Sequence, residues 1–363
     1  MKDENTPLIV PVFLPHAGCP HQCVFCNQQA VTGTSKTIPN PAAIQRAMEI
    51  YTDSQTSNIR LIQIAFYGGN FLGLPTKTVR FFLDTATRFV QAGRVNSIRF
   101  STRPDTVDDH RLKFIADYPV STVEIGAQSM SDRVLNRSRR GHRAADTVNA
   151  VRLLKTAGFE VGVQMMVGLP SDDDQTVLAS GREIAALGPA FVRIYPTLVL
   201  PDSPLGRWYS EGRYHPLDLD RAVKLTKRLL VLFHNHRIPV IRMGLQATAE
   251  LDDGSSVVAG PYHPAFGHLV YDALFFDAVK SRFLIQPPGG TARIIVHPRN
   301  ESKLRGLNNQ NMRRLTDQFH LRRLAVETDV ACTVDTIVVN GHSCRLYGNR
   351  PDTATTDAGV PCD

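Results

Sequence analysis

Three cysteines fall within eight residues: Cys19, Cys23 and Cys26, in the run Gly18-Cys19-Pro20-His21-Gln22-Cys23-Val24-Phe25-Cys26-Asn27. The spacing is C-x3-C-x2-C. Three thiolates so placed can hold three irons of a [4Fe-4S] cluster and leave the fourth open, whereas closed clusters take four cysteines. An open metal position is a binding site, as it is in catalytic zinc centres. Two other chemistries compete for the same residues. A zinc site would need His16 or His21 as fourth ligand, and it lacks a second ligand pair at a usual spacing. Disulfides would need an export signal. Residues 1–7 are charged and polar, and the apolar run 8–14 is too short for a signal core with its flanks. The other cysteines, Cys332, Cys344 and Cys362, are scattered and form no metal pattern.

Further candidates sit where apolar runs end. Gly68-Gly69 closes one such run and is followed by Asn70. It is either a tight turn or a place where backbone without a Cβ approaches a ligand closely. Gln128 ends another run, and its amide either caps the strand or meets a ligand. Arg140 follows twelve residues later, in Asn136-Arg137-Ser138-Arg139-Arg140-Gly141-His142. A guanidinium fork suits a carboxylate. Arg137 and Arg139 read as a solvated or phosphate-facing cluster. Gly168-Leu169-Pro170 is a strand exit or another close backbone approach, and Tyr195 is a packed aromatic or a residue facing substrate. Arg103 and Asp105 share that rim. His234 and His236 suit a helix C-terminus, and His263 and His268 read as structural.

These residues need elements to bring them together. Strand-like runs at 8–14, 61–67, 97–101, 122–127, 161–167 and 191–200 alternate with helical patterns at 42–51, 77–90, 107–117, 144–157, 175–187 and 219–236. The strands are nearly continuous apolar runs, as parallel strands covered on both faces are. Six successive βα units imply an α/β fold, either a partial (β/α)6 barrel or a flat doubly wound sheet. Barrels place their chemistry at the C-terminal strand ends. The first run leads to the cysteine loop, the next four end in Gly68-Gly69-Asn70, Arg103 and Asp105, Gln128 and Gly168, and the sixth contains Tyr195, which favours the barrel. Residues 1–246 therefore form the barrel and 247–345 an extension. Within it, a small α/β unit spans about 292–340, and 346–363 reads as a disordered tail. The 363 residues are 42% hydrophobic and carry a net charge of +7. That composition suits a soluble protein, and the charge fits a polyanionic partner such as RNA. No apolar stretch approaches the roughly 20 residues of a membrane helix. No membrane role and a cytoplasmic location are therefore expected.

The cysteine spacing after an apolar strand, with Gly68-Gly69, Gln128 and Arg140, resembles the radical S-adenosylmethionine (SAM) superfamily. That resemblance implies a [4Fe-4S] cluster on Cys19, Cys23 and Cys26 whose open iron takes the amino and carboxylate groups of SAM. It implies cofactor contacts from Gly68, Gly69, Asn70, Gln128, Arg140 and Gly168, with Tyr195 as the catalytic candidate. It also implies an electron donor such as flavodoxin or ferredoxin. The segments 16–26, 67–74, 101–105, 123–129, 136–142, 158–170 and 194–214 together resemble the radical SAM half of the catalytic subunit of Elongator, a tRNA wobble-uridine enzyme. The likeness covers roughly residues 8–230. The Elongator subunit carries an acetyltransferase domain after its barrel. This sequence shows no loop of that kind, so acetyl-CoA chemistry is not carried over.

The small C-terminal unit, with Arg305-Gly306-Leu307-Asn308-Asn309 between two helical stretches, looks like a degenerate KH module that has lost the second glycine of its GXXG loop. The alternative is a cap on the barrel. The expected function is a radical SAM enzyme acting in tRNA or RNA modification. A small-metabolite enzyme and a non-catalytic RNA-binding protein with a structural cluster are the alternatives. The sequence does not specify an oligomeric state.

Overall fold

The computed structural model describes residues 7–14, 17–27, 44–46, 49, 61–246, 249–252 and 256–348. The helix expected at 42–51 lies mostly outside them, as do His16, Cys362 and residues 349–363. The chain forms two compact units: Met1–Thr226 with Ile238–Phe266, and Lys227–Arg237 with Gly267–Asp363.

The first unit is built on seven parallel strands hydrogen-bonded in sequence order. They are β1 (Leu8–Phe13), β2 (Ile62–Tyr67), β3 (Ser97–Thr102), β4 (Val120–Gln128), β5 (Glu160–Val167), β6 (Phe191–Pro196) and β7 (Val240–Met243). A doubly wound sheet reverses its strand order at a switch point, and this one does not. Nor is it flat. Strands stand roughly 4.8 Å apart, so β2 and β6 would be separated by about 19 Å in a plane. Instead Arg193 Nη2 on β6 donates to the Tyr67 hydroxyl on β2 at 3.0 Å. The sheet therefore curls into a partial barrel, left open because β1 and β7 do not pair. The seventh strand was not expected. It has only four residues and directly follows Pro239, too short a run to show a period.

Helices α1 (Thr76–Gln91), α2 (Asp109–Ala116), α3 (Asp132–Arg137), α4 (Ala144–Thr156), α5 (Asp174–Ala186), α6 (Pro204–Ser210) and α7 (Leu219–Asn235) follow their strands. α1 buries Val79, Phe82, Leu83 and Ala86, the i, i+3, i+4, i+7 stripe of an amphipathic helix. Side-chain caps start α2 and α5: Asp108 accepts from the Arg111 amide and Asp173 from the Thr176 amide, both at 2.8 Å. α6 opens with Ser203 accepting from the Gly206 amide at 3.0 Å and Pro204 in its first turn. The strand expected at 191–200 stops at Pro196. Val199 instead pairs antiparallel with Ala259 and packs with Val24, Leu205, Trp208 and Tyr214.

In the second unit, α8 (Phe266–Ile285) precedes a four-stranded sheet ordered β11-β10-β8-β9. Its elements are β8 (Thr291–Val296), α9 (Glu301–Arg305), α10 (Gln310–Gln318), β9 (Arg323–Thr328), β10 (Thr336–Val339) and β11 (His342–Arg345). The loop between α9 and α10 is anchored on α8. The Leu307 amide donates to Asp272 Oδ2 at 3.0 Å, and Asn311 Nδ2 to the Asp272 carbonyl at 2.9 Å. A carboxylate thus occupies an amide that a phosphate would need. Arg305 pairs with Glu301 at 2.9 Å, and Arg314 lies over the Phe276 ring at 3.9 Å. Beyond β11, Leu346 is buried and Tyr347 stacks on His234 at 3.6 Å. Among the described residues no helix is long and apolar enough to cross a membrane.

Candidate active site

The chain leaving β1 turns into the cysteine loop, and β2 leaves beside it. Backbone contact between them is close. A Cβ on Gly69 would come within 2.4 Å of the Ala17 carbonyl oxygen, and one on Gly18 within 2.2 Å of that of Asn70. The glycines are therefore needed for approach, and Gly18 also has a φ of 73°. Asn70 buckles the two segments together and is fully buried. Its Nδ2 donates to the Gly18 carbonyl at 2.9 Å. Its Oδ1 accepts from Thr102 Oγ1 at 2.7 Å, the Arg103 amide at 3.0 Å and Thr106 Oγ1 at 2.9 Å. Stacked Phe66, Phe71 and Phe100 hold this turn from below.

Two further elements bracket the loop. The Val24 amide donates to the Ser138 carbonyl at 3.1 Å, and the Leu205 amide to the Val24 carbonyl at 2.8 Å. Cys19, Cys23 and Cys26 line one cavity of about 150 Å³ with Gly68, Gly69, Arg103, Gln128, Arg140 and Gln164. Arg140 Nη1 reaches Cys23 Sγ at 3.1 Å, and its Nη2 the Gly126 carbonyl at 2.7 Å. Arg103 is clamped by Asp105 through two bonds of 2.9 Å and donates from Nη2 to the Arg140 carbonyl. Arg103 Nη1 and Arg140 Nε are buried and have no protein partner among the described residues. Burial pushes the Cys19 thiol up, with Cys23 adding to it, while Arg103 and Arg140 pull it down. His142, also buried, is held down to about 3 by burial and by the same two arginines, so it stays neutral.

Below the cavity the barrel lumen is charged. Glu124 on β4 is fully buried and accepts from Tyr67 Oη at 2.8 Å, Arg193 Nη2 at 3.0 Å, Gln164 Nε2 at 2.9 Å and Arg99 Nη1 at 3.3 Å. A buried carboxylate requires such partners. Tyr195 lies two residues beyond Arg193 on the same face of β6 and next to its guanidinium.

Two family profiles match the chain: the radical SAM superfamily over residues 13–184, and the radical SAM C-terminal domain over 189–275. The chain belongs to the radical SAM superfamily. Members of this superfamily are enzymes that use a [4Fe-4S] cluster and SAM. Among curated relatives, an uncharacterized protein of Methanocaldococcus jannaschii is 26% identical over 57% of this chain and 66% of its own length. A tRNA uridine(34) acetyltransferase of Dehalococcoides mccartyi is 29% identical over 54% of this chain and 50% of its own. Elongator complex protein 3 of Danio rerio is 26% identical over 60% and 48%. The chain thus spans about half to two thirds of the length of these relatives. The solved structure of the archaeal Methanocaldococcus infernus Elp3, lacking its N-terminal 46 residues, has the same fold, with a TM-score of 0.55 at 21% identity over 74% of this chain and 63% of that one.

The residues present fit a radical SAM cluster. Three thiols share a cavity backed by two guanidiniums, one already bonded to Cys23. Among the described residues no three potential ligands converge on a single ion. Of the other expected cofactor contacts, Gly68, Gly69, Gln128 and Arg140 line this cavity. Asn70 spends its side chain on the buckle instead. Gly168 lines a second cavity, where its carbonyl accepts from Tyr214 Oη at 2.7 Å. Tyr195 is not among the described residues lining either. Sequence reasoning missed Gln164 and the Glu124 network. A lone Glu within the apolar run 120–128 was the available signal.

Proposed function

We propose that this radical SAM enzyme modifies RNA, with tRNA as its substrate class, and that Cys19, Cys23 and Cys26 hold its [4Fe-4S] cluster. When bound, the cluster supplies one electron that splits SAM into methionine and a 5′-deoxyadenosyl radical, which takes a hydrogen atom from substrate. The observation that carries the reading is the inward turn of Arg140, which reaches Cys23 from a cavity shared with Gln128. A guanidinium lining that cavity is a donor for the SAM carboxylate. Gln128 ends β4 at a register shift with φ 68°, which swings its amide into the cavity as a partner for ribose or amino groups. Gly68 and Gly69 bring backbone to the SAM amino group. Asn70 fixes that backbone, and Gly168 closes the neighbouring strand end. Tyr195 serves the substrate side of the lumen. The RNA reading is supported by relatives named for tRNA uridine(34) and by the net charge of +7.

The test is anaerobic. The reconstituted protein with SAM and dithionite should yield 5′-deoxyadenosine, and Cys19→Ala, Cys23→Ala and Cys26→Ala should yield none. Added tRNA should be bound and should acquire a modified nucleoside on digestion. Turnover of SAM with tRNA neither bound nor altered would move the reading to a small-molecule substrate.

A further inference from the structure

Three arginines of the first unit crowd one indole. The guanidiniums of Arg137, Arg213 and Arg139 lie 4.5, 5.6 and 5.8 Å from the centre of the Trp208 ring. Trp208 itself is 7% exposed and belongs to the apolar cluster that holds Val24, the residue after Cys23. The three arginines are exposed. Arg213 pairs with Glu211, but no carboxylate among the described residues pairs with Arg137 or Arg139. Like charges held this close repel one another; the indole offsets part of that repulsion for all three, and Glu211 part of it for Arg213.

Backbone conformation adds a second observation. Arg139 sits in the left-handed region at φ 53°, unusual for a residue with a side chain. The reversal lets consecutive arginines part: Arg140 turns inward to Cys23, and Arg139 turns outward to Trp208. Between Arg137 and Arg139, Ser138 bonds the Val24 amide. The platform is thus fastened to the back of the cysteine loop.

From this geometry we infer that Arg137, Arg139 and Arg213 on Trp208 form a docking surface for the phosphodiester backbone of RNA, which sets the strand beside the cluster loop. The inference rests on the RNA reading above. A single free phosphate or nucleotide fits less well. The cavity of about 320 Å³ beside the platform is lined by Arg137, Arg213 and Arg221 but also by Asp172, Asp173 and Asp174. Its carboxyls offset its guanidiniums, and Asp174 already pairs with Arg221 at 2.9 Å, so a free anion that enters deeply gains little. A strand lying across the arginine-bearing rim avoids those carboxyls and meets several cations at once. The surface also differs from the α9–α10 loop of the second unit, whose Leu307 amide already serves Asp272.

The test uses full-length holoenzyme and bulk tRNA in gel-shift titrations at two salt concentrations. The triple variant Arg137→Gln/Arg139→Gln/Arg213→Gln should bind at least about tenfold more weakly at low salt. Its slope of log affinity against log salt should flatten by about 2, the sum for three contacts at about 0.7 each. The corresponding triple lysine variant should restore both, because a phosphate asks only for charge. Thermal melts accompany each variant. Unchanged tRNA binding in the glutamine variant overturns the surface while leaving the RNA reading standing. So does a loss that lysines do not restore and that comes with a lowered melting temperature. Transfer of the effect to Arg305→Gln/Arg313→Gln/Arg314→Gln relocates the interface to the second unit and also overturns the proposal. A wild-type protein that binds no tRNA at low salt removes the RNA reading itself. Competition by millimolar inorganic phosphate as effective as by tRNA would show a free-anion site instead.

Discussion

Four hydrogen bonds converge on the Asn70 carboxamide, three at its oxygen and one at its nitrogen. Asn70→Ala leaves the buried Arg103 amide without its acceptor, at a cost of about 1–3 kcal/mol, while the Thr102 and Thr106 hydroxyls keep each other and the Arg103 carbonyl as partners. We expect the apo-protein to lose about 1–3 kcal/mol of stability in urea and the reconstituted protein to retain less iron. Asn70→Asp keeps the acceptor but sets a buried carboxylate oxygen against the Gly18 carbonyl, so it should destabilise as well. Arg140→Ala should weaken SAM binding roughly ten- to a hundred-fold, the equivalent of about 1.5–3 kcal/mol for a charge-assisted bond. Anaerobic titration with SAM, with iron content as control, measures it, and unchanged affinity would remove Arg140 from the cofactor site. Asp172 makes a pH prediction. Burial raises its carboxyl from 3.8 to about 7 in the folded chain. The unfolded chain therefore binds fewer protons between those values, and this residue's contribution to stability falls as pH rises through that window. Asp172→Asn should remove that fall. Melting temperatures at pH 5 and pH 8 should differ less in the variant than in the wild type, once the shared pH trend is subtracted.

The element that positions the cysteines is a pair of strand exits in backbone contact, and glycines permit the contact. A Cβ on Gly73 would lie 2.1 Å from Asn70 Nδ2 and 2.4 Å from the Gly18 carbonyl oxygen. Gly93, at φ 70°, has nothing within 4 Å. Gly93→Ala should cost only the left-handed conformation, about 1–2 kcal/mol. Gly73→Ala should disturb the loop and cut iron incorporation, and iron analysis with thermal melts separates the two. Much of this scale was legible in the sequence. The strands at 61–67, 97–101, 122–127 and 161–167 appear as β2 to β5 with ends shifted by two residues at most, because each is a local apolar run closed by turn residues. The cysteine loop was legible because its spacing is local too. The Asn70 buckle, the three guanidiniums on Trp208 and the Gln164 amide were not. They join residues far apart in sequence, and no local period records which strand ends will meet. β7 was lost to its brevity. Residues 198–200 look like strand by composition, yet all three are buried outside β6, with Val199 packed beside Val24 and Leu205.

Across the first unit, one carboxylate ties the curled sheet together. Glu124 bonds to side chains from β2, β3, β5 and β6, so the lumen is held by charge where a closed barrel would stack aliphatic layers. Glu124→Gln leaves two guanidiniums underpaired and should destabilise the protein by about 3–5 kcal/mol. Glu160→Gln, whose side chain is 47% exposed and keeps an acceptor for the Thr122 hydroxyl, should cost clearly less. Urea denaturation curves compare them. The rim position of the cysteine loop has a consequence for how the enzyme fails. Cys23 is buried, but Cys19 and Cys26 are partly exposed. Oxidants and alkylating agents therefore reach the site from the outer pair first. In apo-protein treated briefly with iodoacetamide, mass spectrometry should find Cys19 and Cys26 modified before Cys23. Damage by air should follow the same order, and the innermost sulfur should be the last recoverable anchor when the protein is returned to iron and sulfide.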